Sequence, residues 1–135
     1  MNYKNQGVIW ATGRRKTSVA SVRFIPDGQG KVTVNSKPIE AYFHGRPHQI
    51  QDALAPMRLL DDGKKYDLNL KILGGGLTGQ AGAARHAIAR AVVKLDEKYR
   101  RPLRAEGHLT RDPRMVERKK SGQPKARKRF QYSKR

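Results

Sequence analysis

Three segments of the chain have the residue pattern of strands, and in two of them hydrophobic and polar residues alternate, a period of two that is typical of strands half buried against a core. In the middle segment Ala20, Val22 and Phe24 share one face, and more polar residues lie between them. The last segment alternates most regularly, and the first is a short apolar run. We therefore predict strands at residues 8–11, 17–25 and 66–73.

A fourth strand is predicted where Lys31, Val32, Thr33 and Val34 alternate again. Turn-forming residues at positions 26–30 separate this run from the strand before it. Consecutive strands joined by such a turn commonly pair with each other. We therefore expect these two strands to form a hairpin.

Apolar residues recur at helical spacing in a segment that Pro47 opens. Ile50, Leu54 and Met57 stand at i, i+4 and i+7, so they would share one side of a helix. Pro56 lacks a backbone N–H, and it therefore disfavours the last turn of this helix.

A longer helix is predicted over residues 78–98, after a glycine-rich corner at positions 74–76. His86, Arg90 and Lys94 lie four residues apart on the polar side of this segment. The apolar stripe consists of Ala81, Ala84, Ile88, Ala91, Val92 and Leu95. Strands and helices together predict a mixed α/β domain.

Charge points to the partner of this domain. The 135 residues include 30 Lys and Arg against 11 Asp and Glu, a formal net charge of +19. Residues 111–135 hold 11 of the basic and 2 of the acidic residues, and few apolar ones. Such a segment cannot build a core and should be extended when free. We predict a globular domain at 1–110, an extended basic tail at 111–135, and a phosphate-rich partner.

The composition of the tail favours RNA, because Phe130 and Tyr132 interrupt its basic residues. Cations can follow a phosphate backbone, and aromatic rings can stack on unpaired bases. Fully extended, such a segment reaches at most about 80 Å. The alternative is a solvated polycation that only raises solubility.

Several other classes of function are disfavoured. There is no Cys, the four His lack metal-ligand spacing, and no nucleophile stands beside a base in sequence, so we expect no enzyme, metal or cofactor. No apolar run approaches the length of a membrane span, and the first residues do not resemble a secretory signal. A cytosolic protein fits these features.

A glycine motif needs separate consideration, since residues 74–79 match G-x-G-x-x-G between a strand and a helix. A dinucleotide site also requires a second parallel strand that ends in an acid. Asp96 and Glu97 instead stand at the helix end, before a basic segment. RNA phosphate at these glycines, or a tight corner without any ligand, are the interpretations that remain.

The turn at residues 13–18 combines three cations with two hydroxyl groups, which suits several phosphate oxygens at once. It lacks the spacing of a nucleotide-binding loop. A solvated basic turn is the alternative. A basic protein of another kind, for instance one that compacts DNA, also fits the composition.

Four long motifs resemble one family. They are residues 11–20, ATGRRKTSVA; residues 74–90, GGGLTGQAGAARHAIAR; residues 109–114, LTRDPR; and residues 131–135, QYSKR. In this order they resemble protein nine of the small ribosomal subunit, in its bacterial form.

The resemblance implies a two-layer α/β sandwich in the subunit head: a mixed four-stranded sheet, helices on one face, and a left-handed strand-helix-strand crossover. It also implies a tail that threads through ribosomal RNA in the cytoplasm, beside other proteins of the head. The tip of the tail, matched here by Ser133, Lys134 and Arg135, would approach the anticodon stem-loop of the transfer RNA in the peptidyl site.

We predict contacts to ribosomal RNA from the basic turn, the glycine corner, the start of the long helix and the tail. The residues are Arg14, Arg15, Lys16, Thr17, Gly74, Gly75, Gly76, Thr78, Gln80, Arg85, Arg111, Arg114, Arg118, Lys119, Lys120, Lys125, Arg127, Lys128 and Arg129.

Overall fold

The computed structural model describes residues 7–60 and 65–134. Its strands are β1 (Ile9–Arg15), β2 (Ser18–Ile25), β3 (Val32–Val34), β4 (Lys37–Pro38) and β5 (Asp67–Leu73). Its α-helices are α1 (Ile39–Tyr42), α2 (Pro47–Leu54), α3 (Leu77–Leu95) and α4 (Arg100–Ala105), with 3₁₀ turns at Ala55–Leu59 and Glu97–Tyr99. The predicted mixed α/β class is confirmed.

The strands form one sheet in the order β1-β2-β5-β3-β4. All neighbours are antiparallel except β3 and β5, which are parallel. The sheet has one strand more than expected, because two residues of β4 pair along the edge of β3. Proline has no N–H to donate, so Pro38 fits this edge position.

The predicted hairpin between β2 and β3 is wrong, since β5 lies between them. β2 pairs with β5 over seven positions, whereas β3 is only three residues long. The carboxylate of Asp67, at the start of β5, also accepts hydrogen bonds from the backbone N–H groups of Gln29 and Lys31, each at 2.8 Å. The turn after β2 is therefore fixed against β5 and leads the chain past it.

β1 is longer than the apolar run suggested. It continues through Arg14 and Arg15, so the predicted basic turn shrinks to Lys16 and Thr17. Lys16 has φ 52, a left-handed conformation that is common in two-residue turns between paired strands. Both arginines therefore belong to a strand.

The parallel pair β3–β5 is connected through β4, α1, α2 and the 3₁₀ turn, which makes a strand-helix-strand crossover. The left-handed sense implied by the family resemblance stays a prediction. Pro47 stands in the first turn of α2, where the lack of an N–H costs nothing. Pro56 lies in the 3₁₀ turn, so the doubt that it raised about the end of the helix is confirmed.

One face of the sheet carries the core. The alternating residues of β2 and β5 are buried there together, as their period predicted; they are Ala20, Val22, Phe24, Leu68, Leu70 and Ile72. Helix α3 packs on this face and buries more than its predicted stripe, including Ala83, Ala87 and Ala89. Small side chains allow the helix to lie unusually close to the sheet.

Helix α3 ends at Leu95, earlier than predicted. Asp96 is extended, with φ −150, and its carboxylate accepts a hydrogen bond from the backbone N–H of Lys98. The carboxylate thus caps the following 3₁₀ turn. No helix in the described part of the chain combines the length and the hydrophobicity needed to cross a membrane.

Candidate nucleic-acid interface

The turn between β1 and β2 lies against the glycine corner that precedes α3. The hydroxyl of Ser18 donates to the carbonyl of Gly74 at 3.0 Å. Gly74 and Gly75 have φ values of 73 and 66, a backbone region that favours glycine. A Cβ atom on Gly75 would lie 2.0 Å from the Ser18 hydroxyl oxygen. Two sequence motifs that are 56 residues apart thus form one site.

Gln80 holds this corner together. Its amide nitrogen donates to the carbonyl of Gly74 at 3.1 Å, and its amide oxygen accepts from the hydroxyl of Tyr42 at 2.9 Å. Both polar ends of the side chain are therefore used inside the fold. Gln80 was predicted to contact RNA, and in the structure its side chain also connects the glycine corner to Tyr42.

The exposed members of the site are Arg14, Lys16, Thr17, Gly74, Gly75, Gly76 and Thr78. A Cβ atom on Gly76 would meet nothing within 4 Å, so the first turn of α3 is open to solvent. Free backbone N–H groups at the start of a helix suit an anion. The turn and the start of α3 adjoin each other through the contacts of Thr17 and Ser18 with Gly74 and Gly75.

Two arginines predicted to contact RNA form ion pairs within the protein. Arg85 forms an ion pair with Asp52 at 2.7 Å and so connects α3 to α2. Arg15 lies over Gly82, where an added Cβ would come within 2.2 Å of its Cδ, and its guanidinium is 3.4 Å from Asp112. The charge pattern in the sequence did not reveal these partners.

His86 adds a contact between α3 and β1. Its Nδ1 accepts a hydrogen bond from the backbone N–H of Arg14 at 3.4 Å. Burial, and then the charge of Arg90, lower the pKa of His86. The ring is therefore neutral at pH 7, as an acceptor nitrogen requires.

Asp112 fixes the start of the tail. Its carboxylate accepts from the guanidinium of Arg114, with the closest contact at 2.8 Å, and from the backbone N–H of the same residue at 3.0 Å. These hydrogen bonds, and after them the charge of Arg15, hold the pKa of Asp112 well below its ordinary value. The tail thus leaves the domain from a defined point on β1.

Glu117, the other acid of the tail, is paired as well. Its carboxylate accepts from Lys120 and, at 2.8 Å, from Arg127, and these bonds lower the pKa of Glu117. The three residues close a bend in the tail. Arg114, Lys120 and Arg127, all predicted RNA contacts, are the cations that neutralise the two acids.

The other predicted cations of the tail are exposed. They are Arg111, Arg118, Lys119, Lys125, Lys128 and Arg129. Phe130 and Tyr132 are 71% and 85% exposed, and no helix or strand occurs between positions 106 and 134. Lys134 is exposed and follows Ser133 at the end of the described chain, and Arg135 lies outside the described residues.

A second basic surface was not predicted as a site. On the sheet face opposite the core, Trp10, Arg23 and Lys71 surround a cleft of about 520 Å³. The period of two along β2 and β5 placed Arg23 and Lys71 opposite the core positions, but only strand order brings them together with Trp10.

The chain is similar to ribosomal proteins along almost its whole length. The family model described as ribosomal protein S9/S16 matches residues 13–135. The small ribosomal subunit protein uS9 of Gloeothece citriformis is 54% identical over 132 residues, which are 98% of this chain and 96% of that protein. The uS9 protein of Chlorobium chlorochromatii is 54% identical over 128 residues, 95% of this chain and 98% of that one.

Proposed function

The chain belongs to the ribosomal protein S9/S16 family, and from this premise we propose that it is a structural protein of the small ribosomal subunit. It binds ribosomal RNA in the subunit head, beside other head proteins, and its tail reaches the transfer RNA in the peptidyl site. The ribosome of the bacterial cytoplasm is its place of action. It is not an enzyme.

The pairing of the two tail acids is the observation that carries this proposal. Asp112 and Glu117 are each neutralised by cations of the tail, so that neither repels a phosphate. The cations that remain are exposed, along a stretch that makes no helix or strand. Exposed cations with aromatic neighbours are what an irregular RNA strand requires. The tail, with 11 basic and 2 acidic residues, therefore supplies nearly half of the net positive charge that attracts RNA.

The domain adds a second contact. The turn at Lys16 and Thr17 and the start of α3 present cations, hydroxyl groups and backbone N–H groups on one surface. Such groups position a protein on phosphates without reading a base sequence. The docked domain would fix where the tail enters the RNA.

Salt dependence of binding to head-domain ribosomal RNA tests the role of the tail. We would change Arg118, Lys119, Lys125, Lys128 and Arg129 to Gln in the full chain. If all five contact phosphates of irregular strands, the slope of log affinity against log salt falls by about 3.5.

The matched control removes five exposed cations of the domain that belong to neither proposed contact. They are Lys37, Arg46, Arg58, Arg101 and Arg104. Both variants lose the same net charge, so a general effect of charge would lower both slopes equally. Equal losses would contradict the proposal, and a much larger loss for the tail variant supports it.

The tip of the tail has its own test. Removing Lys134 and Arg135 should weaken transfer RNA binding at the peptidyl site of assembled subunits. Exposed cations contribute about 1 kcal/mol or less each, so the loss should be modest and assembly should continue. A variant with Lys37 and Arg46 changed to Gln has the same loss of charge, at positions outside both proposed contacts, and should retain this binding. Unchanged peptidyl-site occupancy after removal of the tip would contradict its role.

A further inference from the structure

We propose that the open face of the sheet is a third RNA-binding surface, which holds an unpaired nucleotide against Trp10. The surface lies on β1, β2 and β5, opposite the core, and it includes Arg23 and Lys71. The inference rests on the proposed function, because it extends RNA binding to a face outside the tail and the basic turn.

Strand register builds this surface. Trp10 is paired with Arg23, and Arg23 with Asn69, so these three side chains form one row across the sheet. In the next row on the same face, Thr12 and Ser21 lead to Lys71. The residues between the rows point into the core. Polar and aromatic side chains are thus collected on one face by the period of two.

The cleft between these rows has the charge that RNA requires. Its lining contains four cations, Arg23, Lys71, Arg90 and Lys94, and no acid. Its volume of about 520 Å³ is within the range of sites that hold small organic ligands. One nucleotide with its phosphate can therefore enter it.

Trp10 offers the stacking surface. Its side chain is 60% exposed, and the guanidinium of Arg23 lies 5.9 Å from the centre of the ring. This distance is at the outer limit of a cation–π contact, so a base can replace the arginine at the ring. A single exposed apolar residue is ordinary on protein surfaces. An exposed tryptophan among four cations is the combination found in proteins that bind single-stranded RNA.

The edge of β1 argues against an extended peptide as the occupant. Arg90 donates to the carbonyl of Thr12, and Lys94 donates to the carbonyl of Trp10, each at 2.5 Å. A peptide that adds a strand to a sheet needs such carbonyls free. The guanidinium and ammonium groups keep further N–H donors, which can reach a phosphate in the cleft.

Polar side chains inside the cleft can recognise the sugar or the edge of a base. Thr12, Ser21 and Asn69 line it, and their side chains make no hydrogen bond within the described part of the chain. Hydroxyl and amide groups of this kind bind the 2′-hydroxyl and the base edges of RNA.

Fluorescence provides the test, because Trp10 is the single tryptophan of the chain. We would titrate the full-length variant that carries the five tail substitutions with a ten-nucleotide oligouridine RNA. A blunt RNA duplex and an oligoglutamate peptide of similar charge are the other probes. Stacking predicts saturable quenching by the single strand, and little by the duplex or the peptide.

Substitutions locate the effect, with affinity measured by anisotropy of a labelled strand. Trp10→Ala should weaken binding about five-fold or more, and Trp10→Phe should restore part of it. Changing Arg23 and Lys71 to Gln should lower the salt slope by about 1.4. Leu73→Ala is the matched control, because Leu73 is equally exposed on the same face but does not line the cleft.

The outcomes separate this inference from the proposed function. If the wild-type chain binds RNA through its tail but oligouridine does not quench Trp10, the open face is not an RNA site, and the proposed function stands. Stronger quenching by oligoglutamate would indicate an acidic protein partner and overturn the inference. If neither the wild-type chain nor the variant bound RNA, both proposals would fail.

Discussion

Helix α3 approaches β1 at Gly13 more closely than a side chain permits. A Cβ atom at this position would lie 2.3 Å from the backbone nitrogen of Ala87, 2.4 Å from the carbonyl oxygen of Ala83 and 2.8 Å from the carbonyl carbon of His86. Favourable contacts between heavy atoms are about 3.5 Å or longer. In Gly13→Ala, α3 would have to retreat by roughly 1 Å from the sheet.

The energetic cost follows from what cannot move. All three atoms belong to the helix backbone, so no rotamer change relieves the clash. Overpacking of this kind typically costs about 1–3 kcal/mol, and the upper part of that range applies here. Alanine is favoured over glycine in a strand by about 0.5–1 kcal/mol, which offsets part of the loss. We expect Gly13→Ala to lower the free energy of unfolding by about 2 kcal/mol.

Urea unfolding followed by circular dichroism measures this change. With a slope of about 1–3 kcal/mol per molar urea, the midpoint should fall by about 1 M at unchanged slope. Gly76→Ala is the control, since a Cβ there meets nothing within 4 Å and φ is −97. Gly76→Ala changes a helix N-cap, so its effect on the midpoint should be smaller than that of Gly13→Ala. An unchanged midpoint for Gly13→Ala would refute the close approach of α3 to β1.

Three other predictions concern polar contacts of the domain. Asn35→Asp loses the hydrogen bond that the Asn35 amide donates to the carbonyl of Ile72 at 2.9 Å, while the Ile72 N–H can still donate to the side chain. Urea unfolding should show that the free energy of unfolding falls by about 1–3 kcal/mol. An unchanged free energy would contradict this pairing. A double-mutant cycle on Arg85 and Asp52 should give a coupling free energy of about 0.5–1 kcal/mol. A coupling of zero would show that the ion pair does not stabilise the fold. Burial lowers the pKa of His86 in the folded protein, so the unfolded chain binds the proton first as the pH falls, and the free energy of unfolding should decline from pH 7 to pH 5. His86→Gln should flatten this decline. An equal decline in both proteins would refute the role of His86 in the pH dependence.

Periodicity predicted the elements of the fold well, because each long element alternates or repeats within itself. The core residues of β2 and β5 and the span of α3 follow from that local pattern. Strand order depends on contacts between distant segments. The hydrogen bonds that the Asp67 carboxylate accepts from the loop after β2 are such contacts, and they hold this loop beside β5.

The site could be predicted only in part for the same reason. Local charge identified the basic turn and the tail as candidates, and the cations there are largely exposed. Charge could not show that Arg15 and Arg85 pair with Asp112 and Asp52, since each partner lies at least 33 residues away. The cleft around Trp10 likewise exists only after three strands have aligned.

The edge of β1 also matters for the free protein. Newly made chains with an open strand edge tend to pair with one another, and sheets with such edges aggregate unless something covers them. Here Arg90 and Lys94 occupy two carbonyls of that edge and carry positive charge that repels another copy. Arg90 and Lys94 therefore disfavour self-association of the free protein, and their positive charges can still attract a polyanion.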